Sequence, residues 1–227
     1  IVEPLPALVP LITQEDWPGS LAGVSLTEAI ISLPGRGSGR AERYGGVLFT
    51  HDGLSGPAAL DLSGEVSSRL ARVKPVRLEL DFTPGMDRAF WECRLEEWRQ
   101  HSGGSRISSL LRDYLPHALA GRLCLNCGID PETATAGRLR REQAALRPLA
   151  LCSTELTVTA TAGFEKAMLT RGGVSLKEID PATLESRLIK NLHFSGELLD
   201  LDGPCGGYNL QWAFSSGALA GRSCLAF

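Results

Sequence analysis

The chain has 227 residues, 43% hydrophobic and 22% charged, with a formal net charge of −3. That composition belongs to an ordinary globular protein, long enough to bury a core as one large or two small domains. The charge gives no global reason to expect nucleic acid or an anionic membrane as a partner, and no apolar run approaches the ~20 residues of a membrane-spanning helix.

Cys93, Cys124, Cys127, Cys152, Cys205 and Cys224 are scattered. They read as reduced thiols, which points to the cytoplasm. No secretory leader is visible, although a start at Ile1 leaves an upstream one open.

Residues 1–20 carry Pro4, Pro6, Pro10 and Pro18, which predicts extended, irregular chain. Over 24–33, Leu26, Glu28 and Ile30 alternate with Thr27, Ala29, Ile31 and Leu33, a strand apolar on most of both faces. Residues 34–42 read as a turn, Tyr44 to Thr50 as a second strand, and the pair as a hairpin. Ser55-Gly56-Pro57 opens a short helix, with Ser55 near the cap and Pro57 in the first turn. Gly64 to Val73 reads as another short helix. Val76 to Phe82 alternates strictly, a strand with one buried face.

The period then changes. Asp87 to Gln100 sets Trp91, Leu95 and Trp98 on one helical stripe. Ser105 is expected to cap a second helix carrying Ile107, Leu110, Leu111, Tyr114 and Leu115, which Pro116 ends. Ala118 to Cys127 continues as a short helix. Asp130-Pro131-Glu132 reads as a helix start, with the helix running to about Leu146. Strand character returns at Leu156, Val158 and Ala160, and again over Glu165 to Thr170. Strands, a helical excursion over about 86–150 and strands again predict an α+β fold: a β domain with a helical subdomain set into it.

The last part is organised around 192–221. A short apolar strand is expected to end at Gly196-Glu197. A turn rich in Gly, Asp and Pro follows, and a helix of small and apolar residues begins after Gly206-Gly207. Paired glycines let backbone approach a flat ligand, because they lack Cβ and tolerate positive φ. A helix start favours an anion through its free N–H groups and dipole. Glu197 can accept hydrogen bonds from sugar-like hydroxyls. An ordinary strand–turn–helix with a Gly-rich turn fits the same spacing.

The run Ser195-Gly196-Glu197-x-x-Asp200-x-Asp202-Gly203-x-x-Gly206-Gly207-Tyr208-Asn209-x-Gln211 resembles the C-terminal FAD-binding motif of the BaiN-like (YhiN-like) flavoproteins, also called the aminoacetone oxidase family. Leu5-Pro6-Ala7-Leu8-Val9-Pro10-Leu11, Leu48 to Pro57 and Thr170 to Asp180 fit the same family in the same order. The resemblance implies a FAD-dependent oxidoreductase with a β-barrel-like inserted domain, a small helical bundle and the C-terminal strand–turn–helix of a FAD-binding α/β domain. It divides the chain into 1–20 (exit from the FAD domain), 21–85 with 151–175 (inserted β domain), 86–150 (helical subdomain) and 176–227 (C-terminal FAD-domain segment).

The resemblance also sets roles. Glu197 binds the ribityl chain or its neighbourhood, and Gly206 and Gly207 pass the isoalloxazine edge. The N–H groups around Tyr208, Asn209 and Leu210 face the N1/C2=O side of the flavin. Gly196, Asp202 and Gln211 complete the motif, and Gly172, Gly173 and Val174 form a second flavin-side loop. Catalytic residues are not assigned, and NAD(P)H is left open as electron donor. Family members begin with a strand and a G-x-G-x-x-G turn. Here Gly35 to Arg40 has the wrong spacing and hairpin surroundings. The expectation is therefore a C-terminal portion, inactive alone, whose partners are the N-terminal dinucleotide-binding portion and a small-molecule substrate.

Other residues admit other readings. Cys124-x-x-Cys127 is half of a zinc pattern with no second pair, so no metal is expected. Pro57 stands where a G-x-S-x-G elbow needs glycine. His51 beside Asp52 is read first as loop structure, and Cys205 as packing. The alternative function is a stand-alone binding or interaction module without redox activity. It would touch nucleic acid through Arg106, Arg112, Arg122, Arg138, Arg140, Arg141 and Arg147, which face only four acids over 101–150. The spread of these arginines over three elements and the lack of interleaved aromatics weigh against that contact.

Overall fold

The computed structural model describes residues 1–35, 41–138 and 150–224. Its centre is a closed, fully antiparallel six-stranded barrel built from β2 (Leu11–Thr13), β3 (Ser25–Leu33), β4 (Ala41–Thr50), β5 (Gly53–Ser55), β6 (Val76–Asp81) and β7 (Thr154–Thr161). The order around the barrel is β2-β5-β4-β3-β6-β7, and β7 closes on β2 with Leu11 opposite Thr161. Closure removes the unpaired edges that an open sheet of short strands would expose.

Strand β6 shows the predicted alternation, with Val76, Leu78 and Leu80 buried on one face. In β3, Leu26 and Ala29 are both buried although they lie an odd number of residues apart. The pairing with β4 shifts register between them. One extra residue there turns the next side chain inward, which is why the sequence looks apolar on both faces. β3 and β4 form the predicted hairpin, with Leu33 opposite Ala41. Residues 36–40, which contain most of the Gly35 to Arg40 turn, lie outside the described residues.

Helix α1 (Pro57–Leu70) is one helix, where the sequence pattern predicts two. Gly64 sits in its interior and does not break it. Gly56 is the N-cap residue and Pro57 the first helical one; no side chain, Ser55 included, makes a cap hydrogen bond. α1 is covered on two sides. It packs on β4 and on β1 (Val2–Ala7), which pairs with β8 (Leu169–Gly173) in a two-stranded antiparallel ribbon. Two serines pin the ribbon. Val9 N–H donates to Ser63 Oγ at 3.1 Å, and Ser67 Oγ donates to the Pro6 carbonyl at 2.6 Å. The proline-rich start is thus ordered, and its segment supplies both β1 and barrel strand β2.

The helical segment contains α2 (Arg88–His101), α3 (Ile107–Leu110), a 3₁₀ turn Leu111–Asp113, α4 (His117–Asn126) and a 3₁₀ turn Ala136–Arg138. Asp87 caps α2 by accepting from Phe90 N–H at 2.8 Å, as its sequence position suggests. Trp91, Leu95 and Trp98 are buried as predicted. Trp91 lies 4.9 Å from Tyr114 between ring centroids, and its indole N–H donates to Thr83 Oγ1 at 3.0 Å.

Two helix starts are corrected. Arg106, not Ser105, precedes α3, with no side-chain cap. Asp130 closes a tight turn instead of starting a long helix: its carboxylate accepts from Glu132 N–H and Thr133 Oγ1. An aspartate that can fold back on the next residues serves either end equally well from sequence alone. The part of that expected helix over 139–146 lies outside the described residues.

After β8 the chain runs as turns and single bridges, through a 3₁₀ turn Gly196–Leu198, to α5 (Tyr208–Cys224). The strand expected to end at Gly196-Glu197 is not formed. His193 has only an isolated bridge to Glu185. A strand exists by pairing, and no ladder among the described residues lies beside this segment. The strand expected at Glu165 to Thr170 begins instead at Leu169. No helix among the described residues is long and apolar enough to cross a membrane.

Candidate functional site

The turn 202–207 is held by its own asparagine. Asn209 Oδ1 accepts from Gly203 N–H at 2.7 Å, and Asn209 Nδ2 donates to the Gly203 carbonyl at 2.8 Å. Cys205 N–H donates to Asp61 Oδ1 of α1 at 2.6 Å. The chain then passes Gly206 (φ 118°) and Gly207 (φ 91°) into α5. These angles suit glycine alone, and a Cβ on Gly207 would meet no atom within 4 Å. The space over that glycine is open.

It opens onto a cavity of about 330 Å³. Glu197, Gly206, Gly207, Asn209 and Leu210 line it, facing Leu8, Met168 and Leu169 across the space, with Trp212 and Ala213 of α5 beside them. The N–H groups of Tyr208, Asn209 and Leu210 begin α5 and have no carbonyl one turn earlier to bond. The first intrahelical bond is Gln211 N–H to the Gly207 carbonyl. The positive end of a 17-residue helix therefore borders an apolar cavity. Glu197 accepts from Thr170 N–H through Oε1.

The remaining motif residues stand elsewhere. Gly196 pins α5: its N–H donates to Ser216 Oγ at 2.9 Å, and its carbonyl accepts from Trp212 Nε1 at 3.1 Å. Tyr208 is exposed, and Gln211 donates to Ser215 Oγ on the helix surface. Gly172 and Gly173, of the expected flavin-side loop, end strand β8, where a Cβ would stand 2.4 Å from the carbonyl oxygens of Glu3 and Leu198 respectively. Val174 N–H donates to the Leu198 carbonyl at 2.8 Å. Gly173 and Val174 thus support the 197–200 turn from behind, while Gly172 lies against β1.

Asp202 faces a second cavity, of about 250 Å³, which shares Leu8 and Pro204 with the first. It meets Arg171 Nη1 at 3.5 Å, and the same nitrogen lies 3.6 Å from Glu65 Oε2. Arg43 Nη2 takes the other Glu65 oxygen at 2.7 Å. Burial pushes the Asp202 carboxyl above its ordinary range, and the Arg171 guanidinium pulls it back in part.

Met168 and Leu169 carried no chemical signal in the sequence, and Leu8 only its place in the family-like run Leu5 to Leu11. Met168 and Leu169 reach the cavity because β8 pairs with β1, a contact between residues more than 150 positions apart. Cys205 also lines it, in a small cluster with Ala7, Leu8, Leu60 and Leu169. His51 and Asp52 are exposed in the β4–β5 turn. Cys124 is buried in the core, and no group of three metal-ligating side chains occurs among the described residues. Of the basic set, Arg106 pairs with Glu132 at 3.1 Å. Arg140, Arg141 and Arg147 lie outside the described residues.

A family profile described as "HI0933-like protein barrel and H2TH domain" matches residues 5–169. The chain is 33% identical over 219 residues to the 3-dehydro-bile acid delta(4,6)-reductase of Clostridium scindens, covering 96% of this chain and 53% of that protein. It is 32% identical over 218 residues to the ribosomal RNA dihydrouridine synthase of Haemophilus influenzae, covering 95% and 50%. A protein of the same name from Escherichia coli is 33% identical over 185 residues, covering 79% and 42%. The chain thus spans about half the length of the curated relatives it matches. With a closed six-stranded barrel and a helical segment inserted between its strands β6 and β7 in the matched region, the chain belongs to the HI0933-like protein family, of which it carries the barrel and H2TH domain.

Proposed function

We propose that this chain forms one wall of the cofactor site of a FAD-dependent oxidoreductase. The observation that carries the reading is the apolar cavity at the start of α5, lined by Glu197, Gly206, Gly207, Asn209 and Leu210. The residues fit a flavin. The open space above Gly207 accepts a flat ring against backbone, and the free N–H groups of the first turn of α5 favour negative charge beside it. Glu197 offers a carboxylate oxygen to ribityl hydroxyls. FAD, when bound, supplies the two-electron transfer. The chain's own residues hold the ring, exclude water with Leu8, Met168 and Leu169, and stabilise charge at the helix start.

Helix α5 supports a partner on its other side. Among its 17 residues only Ser216 and Ala220 are buried, while Tyr208 and Phe214, which do not line the cavity, are 64% and 74% exposed. An apolar helix face of this kind packs on another unit. We assign that unit to the dinucleotide-binding portion of the protein, with the chain alone inactive.

The substrate in this reading is a small molecule, in keeping with the name of the Clostridium relative. The names of the other two relatives favour a second reading, a uridine in RNA. NADH and NADPH are the electron donors to try first. The test is a visible absorption spectrum, with and without added FAD, of this chain and of a longer protein that includes its upstream residues. A flavin band that survives desalting in the longer protein, and a roughly tenfold or greater loss of FAD affinity in Glu197→Ala, are expected for a lost charge-assisted hydrogen bond. A longer protein that never retains flavin would overturn the reading. Filter binding of an RNA fragment, against turnover of a steroid enone, separates the two substrates.

A further inference from the structure

The interior of α1 contains a glycine that its helix does not need. Gly in a helix interior is disfavoured relative to Ala, and Gly64 is buried there. The reason lies in what a side chain would meet. A Cβ on Gly64 would stand 2.9 Å from Arg171 Nη1, 3.3 Å from Arg171 Cδ and 3.3 Å from Asp202 Oδ2. The missing side chain leaves a lane across the helix, and the Arg171 guanidinium lies in it.

From that lane Arg171 reaches two carboxylates on different elements. Glu65 belongs to α1, and Asp202 begins the turn that ends at Gly207. One turn earlier on α1, Asp61 accepts from Cys205 N–H. α1 therefore grips the turn twice, directly at Cys205 and through Arg171 at Asp202. Arg43 neutralises the remaining oxygen of Glu65, so Arg171 is not drawn wholly to α1. Both contacts run through one nitrogen, Nη1, at 3.6 Å from Glu65 and 3.5 Å from Asp202, and the guanidinium is less strongly hydrated than a lysine ammonium, which suits a partly buried pair.

We propose that Arg171, seated in the lane left by Gly64, is the positioning residue of the 202–207 turn. Its consequence for FAD rests on the function proposed above; the contact itself does not. Arg171 does not line the flavin cavity and acts through Asp202 on the backbone at Gly206 and Gly207.

The experiment is hydrogen exchange on this chain, followed in a peptide spanning residues 201–208, which contains the Cys205 N–H bonded to Asp61. Arg171→Gln is expected to speed exchange there about three- to tenfold, as loss of a half-exposed ion pair at a locally opening turn should. Peptides from β3, β4 and β6 keep their wild-type rates. Gly64→Ala is expected to speed the same peptide by displacing the guanidinium, although it improves the helix. The double variant is no faster than Arg171→Gln alone, and Arg171→Lys restores protection only in part. Unchanged exchange at 201–208 in both single variants, or additive effects in the double variant, would overturn the proposal. If Arg171→Gln does not fold, Gly64→Ala carries the test, since a purely structural glycine would leave the turn untouched. FAD titration of the longer protein is read separately. Failure of wild type to bind FAD refutes the cofactor reading and leaves the exchange result to decide Arg171.

Discussion

The barrel and the C-terminal segment are built on different terms. In the barrel, Ile31, Leu33, Phe49, Leu54, Leu78, Leu80, Leu156 and Val158 are essentially removed from water. All belong to one continuous core that also takes in the helical segment through Trp91 and Trp98. In the C-terminal segment the local core is Ile179, Leu184, Leu199 and Ala220. The rest is held by pointwise hydrogen bonds at Gly196, Ser216, Gly203 and Cys205, while apolar side chains of α5 face outward. A core held by area opens only as a whole, whereas a segment held by single hydrogen bonds opens locally at lower cost.

Substitutions can break or sharpen this contrast. The largest effect is expected at Phe49, which is fully buried and in ring contact with Trp17 and Phe82. Phe49→Ala should lower the stability of the whole barrel by about 3–5 kcal/mol, read by chemical denaturation. A loss confined to the C-terminal segment would contradict the single-core description.

Gly173→Ala should cost about 2–3 kcal/mol through its positive φ and its collision with the Leu198 carbonyl. Its signature is local. Exchange should rise over 196–200 before the barrel strands respond. Ser216→Ala removes the acceptor of the buried Gly196 N–H and should cost about 1–2 kcal/mol. Limited proteolysis should then release α5 while the barrel resists.

The smallest expected effect concerns pH. The Asp202 carboxyl is raised in the folded chain, chiefly by burial. The folded state then holds its proton to higher pH than the unfolded state, so this group's contribution falls as pH rises from the ordinary carboxylate range through the raised folded value. Asp202→Asn should gain stability relative to wild type above that window, by less than about 1 kcal/mol for a partly exposed group, with the difference vanishing at acid pH. Denaturation midpoints at several pH values measure it, and a loss of stability above the window would show that the Arg171 contact outweighs burial.

Much of the fold was legible because it is written in local periods. Val76, Leu78 and Leu80 alternate, and Trp91, Leu95 and Trp98 recur at helical spacing, so each element announces its buried face without knowing its partner. The α+β class and the barrel with a helical segment followed from that order and from the family resemblance. For the candidate site, the Gly-rich turn and the helix behind it were legible, while the family resemblance named Glu197, Gly206, Gly207, Asn209 and Leu210, which line one cavity.

Only the tertiary structure decided the rest. Residues 192–195 have strand composition yet form none, because a strand needs a neighbouring ladder. The resemblance set Gly172 and Gly173 in a flavin-side loop; their place at the end of strand β8, each close to a backbone carbonyl, depends on β1 and on the 197–200 turn. The closing contact of Leu11 with Thr161, the apolar far wall at Met168 and Leu169, and the lane across α1 at Gly64 all depend on residues distant in sequence meeting in space. Periodicity carries information over one turn of helix or two residues of strand. Which faces then meet is decided by chain closure and packing.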